Sequence, residues 1–336
     1  MEDRNREMAR KIALAVDQAG GKTCFVGGCV RDALMGRVPH DWDITTSALP
    51  AEVKRIFDRT IDTGIEHGTV TVRLRGESYE VTTYRIDGKY EDGRHPSEVT
   101  FTPSLTEDLK RRDFTVNAMA YNDRDGLVDL FDGEGDLKDR RIRCVGDPDD
   151  RFGEDALRIL RAVRFAAQLD FEIEEGTKQA VARHAANLSA VSKERILTEL
   201  SKLVCSAHIE KTAVLKELGL SGYIAAYFDE VDIPHVCSLR ESAGTEEMRG
   251  LWDYAAARSA RTGDGDEEEG AAPVGDPRTN FRAYDLEASV PAELRRIRFA
   301  LLLEGMESGK ALALLKSLKA DNLTAKQGAF LAEQSL

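Results

Sequence analysis

Along residues 4–19 the apolar positions Met8, Ile12, Ala15 and Val16 recur at helical spacing on an otherwise charged segment and predict an amphipathic helix. The period then shortens. TCFVGG predicts a strand running into a glycine turn, CVRDALMG a short helix closed by Gly36, DWDITT a second strand, and PAEVKRIF a helix with Pro50 in its first turn. The β-branched runs GTVTVRLRG and SYEVTTYR, joined through Gly76, predict a hairpin. From about residue 150 amphipathic helical segments follow one another: GEDALRILRAVRFAAQL, EEGTKQAVARHAANL and SKERILTELSKLV, the last with Ser192 as N-cap. The pattern predicts an α+β chain, mixed around a small sheet at the N-terminal end and all-helical after it. Residues 262–277, TGDGDEEEGAAPVGDP, join glycine, proline and a run of acids and predict a disordered loop inside the helical region.

Composition narrows this picture. A chain of 336 residues has room for two or more domains, each with its own core. Its formal net charge of −13 argues against indiscriminate attraction to nucleic acid or anionic membrane, so a nucleic-acid role needs a local basic surface. Cys24, Cys29, Cys144, Cys205 and Cys237 form no CxxC pair, which points to reduced thiols rather than a disulfide framework or a zinc knuckle. The opening MEDRNREMARKIALAV lacks the apolar run of a signal peptide, and no later segment approaches a membrane span. A cytoplasmic chain with no membrane partner is expected.

Candidate chemistry begins at FVGGCVRD, residues 25–32. A Gly27-Gly28 turn between strand and helix lets backbone amides approach a bound group, and the new helix offers unpaired N–H donors. That suits a triphosphate, with Arg31 one turn in to add a charge-assisted bond. An isolated Gly-Gly is more often a tight turn that needs glycine for steric reasons. Here it is followed by Asp41 and Asp43, which alternate around Trp42 and so face the same way in an extended strand. Carboxylates beside a phosphate site suit a hard divalent cation such as Mg²⁺. Glu80, sharing a strand face with Thr82 and Tyr84, is the natural third acid, the alternative being a solvent-facing edge residue. Three acids near a triphosphate would hold two Mg²⁺ ions, one activating the attacking hydroxyl and one clamping the leaving pyrophosphate.

Further along, GEDALRILR reads as one helix on which Asp155 and Arg158 are neighbours, with Glu154 and Arg161 flanking them. A carboxylate accepts and a guanidinium donates. Cytosine and adenine each set an amine beside a ring-nitrogen acceptor, whereas uracil and guanine present the reverse order. One fixed Asp–Arg pair therefore admits CTP and ATP and refuses UTP and GTP, because a mismatch leaves buried polar groups unpaired. The plain alternative is an i, i+3 salt bridge on a solvated helix. LKRRDFTVNAMAY, residues 109–121, supplies Arg111 or Arg112 for phosphates and Asp113 for a ribose hydroxyl. Basic residues from Lys138 through Arg140, Arg141, Arg143, Arg151, Arg158 and Arg161 to Arg164 offer phosphate contacts to RNA. The helices from Ala180 to Lys216 add Arg183, Lys193, Arg195, Lys202, Lys211 and Lys216. RIDGKYEDGRHPSEV, residues 85–99, predicts a mobile polar loop.

Taken in order, FVGGCVRD, DWDITT, EVTTYR, LKRRDFTVNAMAY, RFGEDALRILRAVRFA and VSKERILTELSKLV resemble the class II CCA-adding enzymes, the bacterial tRNA nucleotidyltransferases related to bacterial poly(A) polymerases. The resemblance implies a polymerase-β-like nucleotidyltransferase head over residues 1–142 and an all-α neck with the nucleotide-selecting motif over 143–211. It implies a helical, tRNA-binding body over 212–336, with a tail that is short or absent. It implies Asp41 and Asp43 as metal ligands with Glu80 as third acid. Gly27, Gly28, Arg31, Arg112, Asp113, Asn117, Glu154, Asp155, Arg158, Arg161 and Arg164 would surround the nucleotide. The implied reaction is template-independent addition of C, C and A to the 3′ end of tRNA from CTP and ATP with Mg²⁺, with contacts to the acceptor stem. In the resembling enzymes the loop at 85–99 is needed for the final adenosine; this chain has Arg94-His95 where an Arg-Arg pair is common. Where some members carry a His-Asp phosphohydrolase site, this chain has Glu304-Gly305, so no phosphatase activity is expected. A bacterial poly(A) polymerase is the first rival, disfavoured by TGIEHGTVTV at residues 63–72 and by the lack of a GRRF-like stretch. A partial CC- or A-adding enzyme is disfavoured by the retained loop.

Overall fold

The structure is a computed structural model that describes residues 2–39, 41–88, 98–232, 295, 298–300 and 302–333. The acidic segment 262–277, Cys237 and the greater part of the 85–99 loop lie outside the described residues. Contacts divide the chain into two compact units, residues 1–158 with 172–180, and residues 159–171 with 181–336.

The first unit opens with α1 (Glu2–Gln18), β1 (Thr23–Val26), α2 (Gly28–Leu34), β2 (Ile44–Thr46) and α3 (Pro50–Ile56). The meander β3 (Thr60–Gly64), β4 (Thr69–Leu74) and β5 (Glu77–Thr83) follows, and then a small hairpin of β6 (Arg85–Asp87) and β7 (Val99–Phe101). After α4 (Leu105–Lys110) come β8 (Met119–Asn122), β9 (Gly126–Asp129), α5 (Gly133–Asp139), β10 (Arg141–Ile142) and α6 (Pro148–Glu154). The long α7 (Leu157–Leu169) starts in this unit, and β11 (Glu172–Ile173) returns to pair in parallel with β10 ahead of α8 (Glu175–His184).

One sheet of order β3-β4-β5-β2-β1-β8-β9 organises the unit, antiparallel throughout except for the parallel pair β2–β5. The predicted hairpin is β4–β5. It turns through Arg75 and Gly76 with φ of 53° and 95°, the two positive values of a type I′ turn, whose twist matches the strands it joins. One sheet face carries Phe25, Ile44, Val70, Val72, Tyr79, Val81 and Met119 into a core closed by Met8, Ile12 and Val16 of α1 and Val53 of α3. On the other face Cys24 and Val26 pack under Leu109 of α4. Beyond them that face turns polar: Thr69 bonds Thr82 at 3.0 Å and Thr63 bonds Thr71 at 2.7 Å.

The second unit is helical among its described residues, with α9 (Lys193–Val204), α10 (Ala213–Glu217), α11 (Ser221–Ile224), α12 (Ser308–Ser317) and α13 (Asn322–Glu333). Ser192 occupies the N-cap position of α9 as expected, but its hydroxyl accepts no backbone bond there. The four described cysteines are free and buried, and burial pushes the thiols of Cys29, Cys144 and Cys205 up to about 12, so they stay protonated. No described helix is long and apolar enough to cross a membrane.

Trp42 connects this core to the acids on either side of it. Its ring meets Phe25 edge-on at 5.1 Å between centroids, and Arg6 of α1 lies over it at 5.8 Å. Trp42→Ala is expected to lower stability by about 3–5 kcal/mol, the usual cost of emptying a large buried aromatic site. Urea unfolding followed by far-UV circular dichroism, with an unchanged midpoint as the contrary result, checks this.

Candidate active site

The Gly-Gly turn has the geometry that only glycine supplies. Gly27 sits at φ 79°, ψ −132°, a region closed to residues with a Cβ. Its N–H donates to the Met119 carbonyl at 3.2 Å, and a Cβ built there would stand 3.2 Å from Nη1 of Arg112. The Arg112 guanidinium therefore lies directly over the turn. Arg31, expected to reach a phosphate, is instead 2 % exposed and donates to Asn117 Oδ1 at 2.7 Å and to Asp32 Oδ1 at 2.8 Å. Asn117 Nδ2 in turn donates to Asp113 Oδ1 at 3.4 Å, and the Phe114 N–H donates to the same oxygen at 2.8 Å. FVGGCVRD and LKRRDFTVNAMAY thus meet as one buried network.

Of the two arginines left open by the sequence, the structure separates Arg111 from Arg112. Arg111 directs Nε and Nη2 to Asp108 Oδ1 at 3.0 and 2.7 Å, and its Nη1 lies 3.7 Å from Asp87. Arg112 gives Asp108 only Nη2, at 3.3 Å, and its buried Nε makes no hydrogen bond. Arg112 is the one with donors in hand beside Gly27. Asp108 went unnoticed in the sequence, although its spacing of three and four residues from the two arginines on a helix is the signal that finds it.

Exposure alternates through the acid stretch: Asp41 out, Trp42 in, Asp43 out, Ile44 in. The regular strand starts only at Ile44, but the Val26 N–H bonds the Asp43 carbonyl at 3.1 Å and extends the ladder by one residue. That bond sets Asp43 next to the strand end from which Gly27 turns. The parallel register pairing Ile44 with Val81 brings Asp43 alongside Glu80, and Glu80 is exposed on the hydroxyl-rich face opposite Tyr79 and Val81. Tyr84 does not share that face. The strand ends at Thr83, and the buried Tyr84 hydroxyl donates to the Lys22 carbonyl at 3.1 Å. Among the described residues no three acid, histidine or cysteine side chains converge closely enough to hold a metal ion as they stand. The donor set, carboxylates and hydroxyls without nitrogen or sulfur, is nonetheless that of a hard cation.

GEDALRILR is not one helix. α6 ends at Glu154, Asp155 is extended at φ −145°, and α7 begins at Leu157. The cause is local. Asp155 Oδ1 accepts the Leu157 N–H at 3.0 Å, so the side chain caps the new helix instead of continuing the old one. Asp155 and Arg158 are therefore not i, i+3 neighbours on a helical face. Arg158 pairs with Glu154 at 2.5 Å and donates to the carbonyls of Arg151 and Arg111, each at 3.2 Å. Arg151 pairs with the same Glu154 at 2.5 Å and donates to the Lys110 carbonyl at 3.2 Å. The break is thereby fastened to the arginine motif.

Arg161 and Arg164 belong to the second unit. Arg164 is 1 % exposed, donates to Glu199 and Gln168 at 2.5 Å each, and stacks on Phe165 at 3.8 Å. Arg161 lies 3.9 Å from Glu199. Much of the basic run is likewise matched by acids: Lys138 with Glu134, Arg141 with Asp139, and Arg143 with Asp136 at 2.8 Å. Lys193 is tied to the Tyr223 and Ile224 carbonyls at 3.0 and 2.9 Å. Exposed pairs such as the first two are worth little and break readily for a phosphate; the buried ones are part of the scaffold.

Residues 23–143 match the family described as the Poly A polymerase head domain, and residues 170–230 match one described as a probable RNA and SrmB-binding site of polymerase A. A CCA-adding enzyme from Levilactobacillus brevis is 49% identical over 243 residues, 71% of this chain and 61% of the relative. Another from Lactobacillus delbrueckii subsp. bulgaricus is 56% identical over 195 residues, 58% of this chain and 49% of the relative. The chain thus spans from about half to three fifths of the length of these curated relatives. The crystal structure of the Bacillus stearothermophilus CCA-adding enzyme in complex with CTP is similar with a TM-score of 0.70 and 35% identity, covering 96% of this chain and 68% of that one.

Asp108 also makes stability depend on pH. Its burial works to raise the carboxyl's pKa, but Arg111 and Arg112 together overcome this and hold it below the usual carboxylate value. A depressed folded pKa contributes stability above the unfolded value of about 3.9 that is lost as pH falls through the folded one. The urea midpoint of the wild-type chain is expected to fall as pH drops below about 4, and less steeply in Asp108→Asn. Identical slopes would count against the ion pairs.

Proposed function

We propose, for a chain that belongs to the CCA-adding enzyme family, that it adds C, C and A to the 3′ end of tRNA from CTP and ATP and releases pyrophosphate. The observation that carries the reading is the bond from Val26 to the Asp43 carbonyl, because it sets the Gly27–Arg112 turn beside the strand of acids. A nucleotide and the acids that act on it need that adjacency.

In this reading the triphosphate rests on the Gly28 amide at the start of α2, which the bend at Gly27 leaves open to close approach, with Arg112 supplying charge-assisted donors from above. Arg31 serves by holding Asn117 and, through it, Asp113, whose carboxylate faces the ribose. Asp41, Asp43 and Glu80 would hold Mg²⁺, which when bound activates the attacking hydroxyl and stabilises charge on the leaving pyrophosphate. The base is read at the helix break: Asp155 accepts and Arg158, braced by Glu154 and two carbonyls, donates. An acceptor and a donor brought to one base edge from this break would match cytosine and adenine and leave polar groups unpaired against uracil and guanine. Arg164 and Glu199 act as a buried clasp in the second unit, and exposed cations such as Lys138 and Arg141 are placed to meet RNA phosphates.

Single-nucleotide extension of three tRNA transcripts, ending before CCA, after C and after CC, tests this. CTP is expected to extend the first two and ATP the third; repeated ATP addition to any RNA would instead indicate a poly(A) polymerase. Asp43→Ala is expected to reduce incorporation by about 10³-fold or more, whereas Asp155→Ala blurs nucleotide choice more than it slows the chemistry. Gly27→Ala, forcing a side chain into positive φ against Arg112, is expected to weaken CTP binding by about tenfold or more in equilibrium dialysis. Unaltered affinity would remove the turn from the site.

A further inference from the structure

We propose that Asp108 is a positioning residue of the nucleotide site: without touching the nucleotide, it fixes Arg112 over Gly27 and ties that arginine to the strand that leads from Asp43. The proposal rests on the reading of the Gly27–Arg112 turn as a triphosphate site and adds to it the group that keeps the turn's cation in place.

Asp108 is fully buried, and each of its oxygens is assigned differently. Oδ1 takes Nε and Nη2 of Arg111 at 3.0 and 2.7 Å and the Arg85 N–H at 3.4 Å. Oδ2 takes Nη2 of Arg112 at 3.3 Å and lies 3.3 Å from the Thr45 hydroxyl, whose single proton it shares with the Thr82 carbonyl at 3.2 Å. One carboxylate thus divides two adjacent cations. Arg111, with two donors on Asp108 and its third nitrogen near Asp87, is locked into the scaffold. Arg112 is held by one nitrogen, so its Nη1 stays over the Gly27 turn. Thr45 lies two residues after Asp43 on the same side of the strand, so Oδ2 measures the distance between the acids and the arginine through one atom.

Removing the charge leaves two guanidiniums side by side with no shared anion, and Arg112 gains the freedom to leave the turn. A positioning role has a signature that general weakening of the fold lacks. Its effect passes through Arg112, and it is blind to the base because it concerns phosphates.

The experiment measures CTP and ATP affinity of the full chain with Mg²⁺ and without tRNA, by equilibrium dialysis, for wild type, D108N, R112A, D108N/R112A, T45V and T45V/R112A. D108N is expected to weaken both nucleotides equally, by about tenfold, the scale of one charge-assisted hydrogen bond. The double variant is expected to bind no more weakly than R112A alone, as for residues acting through one group. Additive losses, unequal losses for CTP and ATP, or unchanged affinity in D108N overturn the proposal. If D108N loses its far-UV circular dichroism, T45V decides. About a threefold loss that disappears in the R112A background supports the anchor, and no loss overturns it. Failure of the wild-type chain to bind either nucleotide overturns the triphosphate reading itself, and the anchor with it, whereas binding by wild type and D108N alike overturns the anchor alone.

Discussion

An extended backbone sends alternate side chains to opposite sides, and at residues 41–44 both sides are committed. Trp42 and Ile44 are buried in the sheet core, which leaves Asp41 and Asp43 no choice but the outer face. A slip of one residue would put carboxylates in the core and the indole in water, so the hydrophobic packing itself enforces the register of the acids. The rest of the site inherits that register. Asp43 holds the end of β1 through its carbonyl, the end of β1 sets the turn at Gly27, and β5 brings Glu80 alongside.

Electrostatics then decides which cations are left for a ligand. In a chain with a net charge of −13, most arginines near the site already have acids: Arg31 has Asp32, Arg111 has Asp108, and Arg151 and Arg158 share Glu154. Such pairs fix geometry more than they add stability. They hold the guanidinium groups in fixed positions.

Much of this was legible in the sequence because the motifs are local. The helix at α1, the I′ hairpin at Gly76, the glycine turn and the alternation of Asp41 and Asp43 all rest on neighbours within a few residues, where period and turn chemistry decide. The comparisons agree on family and fold. One reading failed for an identifiable reason, and two arginines have partners that the sequence did not reveal. GEDALRILR has the periodicity of a continuous helix, and the competing preference of Asp155 for capping won. Arg31 and Arg164 stand at motif positions that suggest ligand contact, but their partners, Asn117 and Glu199, lie 86 and 35 residues away. Period cannot reveal which distant side chain completes a buried charge. Asp108 was missed because a solvated i, i+3 pair and a buried hub look alike in one dimension.

The parallel pairing of β2 with β5 has a consequence for the entropy of closing the chain. β1–β2 and β4–β5 each join strands close in sequence, whereas Thr45 and Thr82 are 37 residues apart and β1 meets β8 only after a still longer excursion. Loop-closure entropy costs less for the strand pairs of shorter range and more for the joints between them. Asp43 and Glu80 lie on opposite sides of one of those joints. The two acids therefore come side by side only through a closure of longer range than the strand pairs on either side of it.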